Sequence, residues 1–102
     1  MLVPHYLYQV HRPDAATPID ETMRALDDLV RSGKVRYLAL SNYRGWRIAE
    51  IAAACDRLNM QRPVCLQPYY NAMNRMPEVE EIPACEHFGL GVVPYSPLGK
   101  GF

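Results

Sequence analysis

Residues 17–42 read TPIDETMRALDDLVRSGKVRYLALSN, in which a helical pattern runs directly into a strand pattern. Thr17 stands before a proline and three residues before an acid, so we expect it to cap a helix start. Four apolar residues then recur at helical spacing and predict one packed face: Ile19, Met23, Leu26 and Val30. Gly33 is a typical helix stop, and the run VRYLAL at residues 35–40 is too short for a helix. The stretch therefore predicts a helix, a turn and a strand.

Charged residues balance over the chain and are expected to pair within this first helix. Acidic and basic residues number 11 each, so the net charge is zero. We expect ion pairs four residues apart, Asp20 with Arg24 and Asp27 with Arg31. Without a net field or a run of like charge, nothing favours nucleic acid or an anionic membrane surface as a partner.

The strand pattern recurs at intervals of 27 to 29 residues. An opening strand begins at Tyr6 and is stopped near His11 by the following proline, and later strands are expected at residues 35–40, 64–67 and 91–95. Helices are expected between them, at residues 44–58 and 78–88, ending at Asn59 and Gly89, with Pro83 in the early turns of the last helix. Regular alternation of strand and helix predicts an α/β fold with parallel strands.

Two architectures fit this alternation, an open doubly wound sheet and part of a (β/α)8 barrel. Polar residues stand at the carboxyl end of each predicted strand: His11, Ser41 with Asn42, Gln67, and Tyr95 with Ser96. A barrel gathers such ends around one site, and the first strand lacks the G-x-G-x-x-G turn of a dinucleotide-binding sheet. The barrel is favoured. A complete one needs about 250 residues, so 102 residues supply about four strands of it.

The amino terminus and the cysteines indicate the compartment and bear on metal binding. MLVPHYLYQV is a poor signal peptide, because no basic residue precedes its apolar stretch, and no stretch is long enough to span a membrane. Cys55, Cys65 and Cys85 are odd in number and lack C-x-x-C spacing, which suits a reducing compartment such as the cytoplasm. No group has metal-ligand spacing, so no metal site is expected.

Four segments in order, YLYQVHRPD, PIDETMRALDDLVRSGKVRYLALSNY, LQPYYNAMNR and GLGVVPYSPLGKGF, resemble the aldo-keto reductase superfamily. The resemblance is closest to bacterial members related to potassium-channel β subunits. It implies a (β/α)8 barrel that binds NADP(H) at its carboxyl face, with this chain spanning about strands four to seven. Residues 1–102 would then be a partial domain that lacks strands one to three and the strand-eight region.

His11 has two interpretations. A lone histidine at a strand end is a weak signal, and by itself it more often hydrogen-bonds a turn. The resemblance implies instead that His11 is catalytic and polarises the substrate carbonyl, on whose oxygen negative charge develops.

The resemblance also implies the cofactor contacts. Ser41, Asn42 and Gln67 would bind the nicotinamide carboxamide, for which hydroxyl and amide groups supply donors and acceptors. Tyr95 would stack on the nicotinamide ring. The loop that follows would approach the pyrophosphate through backbone N–H groups: Ser96, Pro97, Leu98 and Gly99.

The family uses an aspartate, a tyrosine, a lysine and a histidine in catalysis, and the first three precede the strand that starts this chain. The expected function is therefore a fragment of an NADP(H)-dependent oxidoreductase for aldehydes, ketones or alcohols, inactive alone. The alternative is a non-catalytic nucleotide-binding or subunit-interaction module, as in channel β subunits. A half barrel leaves open sheet edges and apolar surface, so self-association of the isolated chain is expected.

Overall fold

Strands and helices alternate through the computed structural model of the chain, which describes residues 5–101. The strands are β1 (His5–Val10), β2 (Val35–Ser41), β3 (Cys65–Gln67) and β4 (Gly91–Val92). The helices are α1 (Ile19–Arg31), α2 (Gly45–Arg57) and α3 (Glu81–Phe88), and one turn of 3₁₀ helix at Met76–Glu78 precedes α3. No helix in this part of the chain is both long enough and apolar enough to cross a bilayer.

The four strands form one parallel sheet in the order β1-β2-β3-β4. Each helix connects one strand to the next, and each strand pairs in the sheet with the strand that follows it in sequence. This is the order of strands in a (β/α)8 barrel, whereas a doubly wound sheet changes direction next to its first strand. The predicted α/β class and parallel sheet are confirmed, and the sheet is consistent with part of a barrel.

One side of the sheet packs against the helices. Leu38 and Leu40 of β2 and Leu66 of β3 lie on this side and are buried. The helices contribute the rest of the buried cluster: Met23, Leu26, Ile48, Ile51, Cys55 and Cys85. Burying each large apolar side chain is worth about 1.5–3 kcal/mol, so this layer carries most of the stability of the fold. The apolar face predicted for α1 is confirmed.

The start of α1 differs from the prediction. Pro18 occupies the cap position, and the Thr17 hydroxyl donates to the Asp14 carboxylate (2.7 Å) instead of capping the helix. The same carboxylate accepts the backbone N–H of Ala16 (3.0 Å), and these two hydrogen bonds, the Thr17 bond first, lower the pKa of Asp14. The prediction for Thr17 was wrong because an upstream aspartate competes for its hydroxyl.

One of the two ion pairs expected within α1 forms as predicted. Arg31 pairs with Asp27 at 2.6 Å. Asp20 pairs instead with Arg57 of α2 at 2.5 Å, and so the expected contact with Arg24 was wrong. The Asp20 pair joins neighbouring helices, which local spacing in the sequence does not reveal.

The later elements are shorter than the sequence pattern suggested. β3 begins at Cys65 rather than residue 64, and β4 ends at Val92 because Pro94 interrupts the strand, although Tyr95 still bridges to Tyr69. The helix expected from residue 78 begins at Glu81, which places Pro83 in its first turn, where its missing N–H has no cost. The predicted stops are confirmed by positive φ angles at Gly33 (81°), Asn59 (55°) and Gly89 (78°).

The β1 strand is exposed on both faces. It pairs with β2 alone among the described residues, and Tyr6 is 70% exposed, with Leu7 and Tyr8 also exposed. The Tyr6 ring meets the ring of Tyr37 edge to face, with 5.4 Å between their centroids. β1 is therefore held by its hydrogen-bonded ladder and by contacts along one edge.

Candidate functional site

The carboxyl ends of the strands bring the predicted polar residues together. Ser41 and Gln67 end β2 and β3 and pair across the sheet, while His11 follows β1 directly. Tyr95 lies three residues beyond β4 and pairs with Tyr69 in an isolated parallel bridge. Because all four strands are parallel, these groups share one edge of the sheet.

Asn42 connects three of the four strand ends. Its side-chain N–H₂ donates to the backbone carbonyl of His11 (2.9 Å) and to the hydroxyl of Ser41 (3.2 Å). Its side-chain oxygen accepts the phenolic O–H of Tyr95 (2.9 Å). The residue has a φ of 63°, a left-handed conformation that asparagine adopts more readily than most residues. Asn42 is thus a hub of the site, because it joins the residues at the ends of β1, β2 and β4.

Ser41 and Gln67 form the centre of the site. Ser41 is 3% exposed, and its hydroxyl donates to the backbone carbonyl of Gln67 at 2.8 Å. The side-chain oxygen of Gln67 accepts the amide N–H of Gln9 at 2.6 Å. Gln9 was not among the predicted site residues. Its only signal in the sequence is a polar amide two residues before His11 in a strand of apolar residues.

His11 joins this network through its backbone. Its carbonyl accepts from Asn42, and its imidazole side chain is exposed at the end of β1. The main-chain carbonyl of His11, and not its side chain, thus makes the hydrogen bond to Asn42. The imidazole ring therefore stays accessible at the site.

Tyr95 is fixed at three points. Its backbone N–H donates to the carbonyl of Pro68 (2.9 Å), its hydroxyl donates to Asn42, and its half-buried ring lies 5.4 Å from that of Tyr69 at an angle of 42°. An aromatic ring with its hydroxyl held in this way has a set orientation at the mouth of the site.

Asn71 holds the loop that follows Tyr95. It is 6% exposed, and its N–H₂ donates to the carbonyl of Ser96 (3.0 Å). Its side-chain oxygen accepts the backbone N–H groups of Met73 (2.8 Å) and Asn74 (2.9 Å). Asn71 was also missed, because an asparagine in the run LQPYYN looks like any loop residue until its partner 25 residues away is known.

The predicted pyrophosphate loop is a pair of overlapping turns. Ser96 (φ 50°) and Gly99 (φ 57°) have positive φ angles, and the Gly99 N–H donates to the Ser96 carbonyl at 3.0 Å. Pro97 and Leu98, between them, are exposed. The N–H of Gly99 is used in this turn and is not available to a ligand. The role of Gly99 in the loop is therefore to adopt the positive φ angle that the turn requires.

A cleft of about 300 Å³ lies beside this network, between the loops that follow β2 and β3. Its lining is mixed, with polar groups from Asn42, Arg44, Asn74 and Glu81 and apolar surface from Pro68, Tyr69, Met76 and Pro77. Tyr43 also contacts it but is buried, and burial raises the pKa of its hydroxyl. The cleft therefore opens next to the hub residue of the site.

The thiols of the two buried cysteines favour the protonated form. Burial raises the pKa of the thiols of Cys55 and Cys85 to about 11, so both are protonated at neutral pH. All three cysteines are free thiols. Within residues 5–101, no three His, Cys, Asp or Glu side chains come together as metal ligands would.

Comparison with known proteins places these residues in context. The model of the aldo/keto reductase family matches residues 5–102. Over 95 residues the chain is 42% identical to mouse "Aflatoxin B1 aldehyde reductase member 2" and 41% identical to human "Aldo-keto reductase family 7 member A3". It is also 41% identical over 95 residues to the Bacillus subtilis protein "Uncharacterized oxidoreductase YrpG". Each match covers 93% of this chain but only 26% of the mouse protein and 29% of the other two.

Proposed function

Because this chain belongs to the aldo/keto reductase family, we propose that it forms part of the barrel of an NADP(H)-dependent carbonyl reductase. The family resemblance expected from the four motifs is confirmed. β1 to β4 would be strands four to seven of that barrel, and residues 1–102 a partial domain of the enzyme. Its substrates would be small aldehydes and ketones, or alcohols in the reverse direction. The cytoplasm is the proposed compartment, since a reducing environment suits three free thiols.

The observation that supports this proposal best is the hydrogen-bonded network at the strand ends. Asn42 bonds to His11 and Tyr95, which follow β1 and β4, and to Ser41, the last residue of β2, which in turn bonds across to β3. Enzymes with barrel folds build their active sites at this end of the sheet. A network of polar groups at the strand ends, separate from the apolar layer between the sheet and the helices, is expected for a site that must orient a polar ligand.

The residues present suit a nicotinamide cofactor. Gln67 keeps its side-chain N–H₂ for a ligand, because its contact with Gln9 uses the oxygen. Ser41 and Asn42 lie beside it for the carboxamide, and the fixed ring of Tyr95 offers a flat surface for the nicotinamide. The turns at residues 96–99 would approach the pyrophosphate. The bound cofactor would supply the hydride.

His11 would act on the substrate. Its imidazole, exposed at the end of β1, would donate a hydrogen bond to a carbonyl oxygen, which becomes more negative as the carbonyl is reduced. The other three catalytic residues of the family are proposed to lie on barrel strands that precede β1 in a longer polypeptide. The chain matches only 26–29% of the length of the relatives named above. A polypeptide as long as those relatives would include the strands that carry these three residues.

The test uses the full-length protein, meaning the whole polypeptide encoded by the gene that contains this chain. NADPH consumption is measured with a panel of aldehydes for the unaltered protein, for His11→Ala and for His5→Ala. We expect kcat to fall about 100-fold or more for His11→Ala with little change in NADPH affinity. His5 is the matched control, because it is an exposed histidine at the opposite end of the same strand. Equal activity of the two variants would contradict the proposed role.

The exposed β1 strand favours a second candidate, the subunit-interaction module. Tyr6, Leu7 and Tyr8 are exposed on a strand that has an open edge within the described residues, and such strands pair with other chains. The 102-residue chain alone is therefore expected to self-associate. Sedimentation velocity over a range of concentrations measures this, and a monomer at all concentrations would rule against it. Full-length protein that binds no NADPH and reduces no aldehyde would leave the module as the better proposal.

A further inference from the structure

We infer that Gln9 is a positioning residue that sets the orientation of the Gln67 side-chain amide. The inference rests on the proposed function, in which Gln67 binds the nicotinamide carboxamide, and it concerns a residue for which that proposal has no role. It starts from the hydrogen bond between the two amides, at 2.6 Å, across 58 residues of sequence.

The two glutamines lie on strands that are not neighbours. Gln9 on β1 pairs with Ala39 of β2, while Gln67 on β3 pairs with Ser41, two residues further along β2. Strands once removed are about 9.6 Å apart, so the side chains must cross the whole of β2 to meet. They cross on the face opposite the buried leucines, at Ala39, whose methyl group is fully buried and leaves the space that a larger side chain would fill.

The direction of this hydrogen bond decides what Gln67 offers a ligand. An amide presents an oxygen that accepts and a nitrogen that donates, and rotation by 180° exchanges them. Because Gln9 donates to the oxygen of Gln67, the nitrogen of Gln67 points away from Gln9 and remains a donor. A donor at this position suits the carbonyl oxygen of a carboxamide. The oxygen of Gln9, which accepts no hydrogen bond from residues 5–101, provides an acceptor nearby.

Removal of the Gln9 donor would free the Gln67 amide to turn. Gln9→Met keeps the length of the side chain but cannot donate, and Gln9→Glu replaces the donor by a carboxylate that only accepts. In Gln9→Glu the Gln67 nitrogen is expected to turn towards the carboxylate, which presents the Gln67 oxygen to the ligand. A carboxamide can adapt by turning its own N–H₂ towards that oxygen, whereas an acetyl group has no N–H to offer.

The experiment measures binding to the full-length protein by calorimetry with three ligands. They are NADP⁺, its 3-acetylpyridine analogue, and 2′-phospho-ADP-ribose, which lacks the nicotinamide. For Gln9→Met we expect the Kd for NADP⁺ to rise about fivefold, the loss of about one hydrogen bond, with that for 2′-phospho-ADP-ribose unchanged. For Gln9→Glu we expect the acetylpyridine analogue to lose at least about fivefold more affinity than NADP⁺. Gln61→Met, at an exposed position between α2 and β3, is the matched control and should bind all three ligands normally.

Two outcomes would overturn the inference. Equal weakening of all three ligands by Gln9→Met would indicate a general structural effect, and normal binding of all three by both Gln9 variants would indicate no effect on Gln67. Gln67→Leu separates the inference from the proposed function. If Gln67→Leu lowers NADP⁺ affinity while the Gln9 variants do not, only the role of Gln9 fails. If Gln67→Leu leaves NADP⁺ affinity unchanged, the proposed carboxamide site fails with it.

Discussion

Leu40 and Ser41 are consecutive residues of β2, yet they belong to regions with different chemistry. Leu40 is 1% exposed and lies in the apolar layer between the sheet and the helices. Ser41, nearly as buried, donates its hydroxyl to Gln67 in the network at the strand ends. The helix side is held by packing that many apolar residues could provide. The strand ends depend on particular donors and acceptors, so residues that stabilise the fold and residues of the proposed site lie next to each other on a single strand.

The largest effect on stability is expected from the helix side. Leu40→Ala should lower the free energy of unfolding of the full-length protein by about 2–5 kcal/mol, because it leaves a cavity among buried neighbours. Leu98→Ala makes the same change at a side chain that is 73% exposed and should cost less than about 0.5 kcal/mol. Urea unfolding measures both. Similar losses for the two variants would mean that the helix-side layer is not the main source of stability.

A smaller loss is expected at the junction of α2 and α3. A Cβ added at Gly45 would clash with Cγ of Glu80, whose carboxylate accepts the backbone N–H of Trp46 at 2.6 Å. Gly45→Ala should therefore destabilise the protein by about 1–3 kcal/mol through overpacking. Glu80→Ala removes the clashing side chain, so the double variant should recover part of the loss relative to Gly45→Ala. Strictly additive losses in thermal unfolding would show that the two residues do not meet.

At the strand ends, Asn42 allows conformation and hydrogen bonding to be tested separately. Asn42→Gly keeps the positive φ accessible but removes the amide, whereas Asn42→Ala removes the amide and adds strain of about 1 kcal/mol. We expect Asn42→Ala to be less stable than Asn42→Gly by about that amount. Both should bind NADPH more weakly than the unaltered protein, as measured by nicotinamide fluorescence, because Tyr95 is no longer held. Normal NADPH binding by Asn42→Gly would contradict the hub role.

The smallest effect is expected from an exposed ion pair. Arg62 holds the carboxylate of Asp56 with two hydrogen bonds (2.7 and 3.1 Å), and these are the main cause of the lowered pKa of Asp56. A carboxyl group with a lowered pKa in the folded state stabilises the protein above its ordinary pKa, and this contribution is lost as the pH falls through the lower folded value. Asp56→Asn should therefore be slightly less stable than the unaltered protein at pH 6 and equal to it near about pH 2.

Thermal unfolding across this pH range measures the difference, with Asp28→Asn, an exposed aspartate of α1, as the control for loss of a negative charge. A difference that grows as the pH falls would contradict the assignment.

The apolar half of the molecule could be predicted from the sequence because its signals are local. The spacing of Met23 and Leu26 and the stops at Gly33 and Gly89 are each read within a few residues, and the repeat of strand and helix follows once such segments are assigned in order. The α/β class followed from them. The prediction for Thr17 was wrong even so, because its hydroxyl donates to Asp14 and the helix begins only at Ile19, with Pro18 at the cap position.

The strand ends were predicted only in part. Polar residue types at the ends of the predicted strands identified Ser41, Asn42, Gln67 and Tyr95. These residues do meet at the carboxyl ends of the strands. Their mutual contacts could not be predicted, because they depend on register between strands. Gln9 was missed for the same reason, since nothing near it in the sequence indicates a partner on β3.

The most direct test of the central claim is a crystal structure of the full-length protein with NADP⁺. The site predicts the nicotinamide carboxamide within hydrogen-bonding distance of the Gln67 nitrogen, the ring against Tyr95, and the imidazole of His11 facing the side from which substrate approaches. A nicotinamide bound away from the carboxyl ends of β1 to β4, with the Asn42 network unchanged, would contradict the claim that these strand ends form the cofactor site.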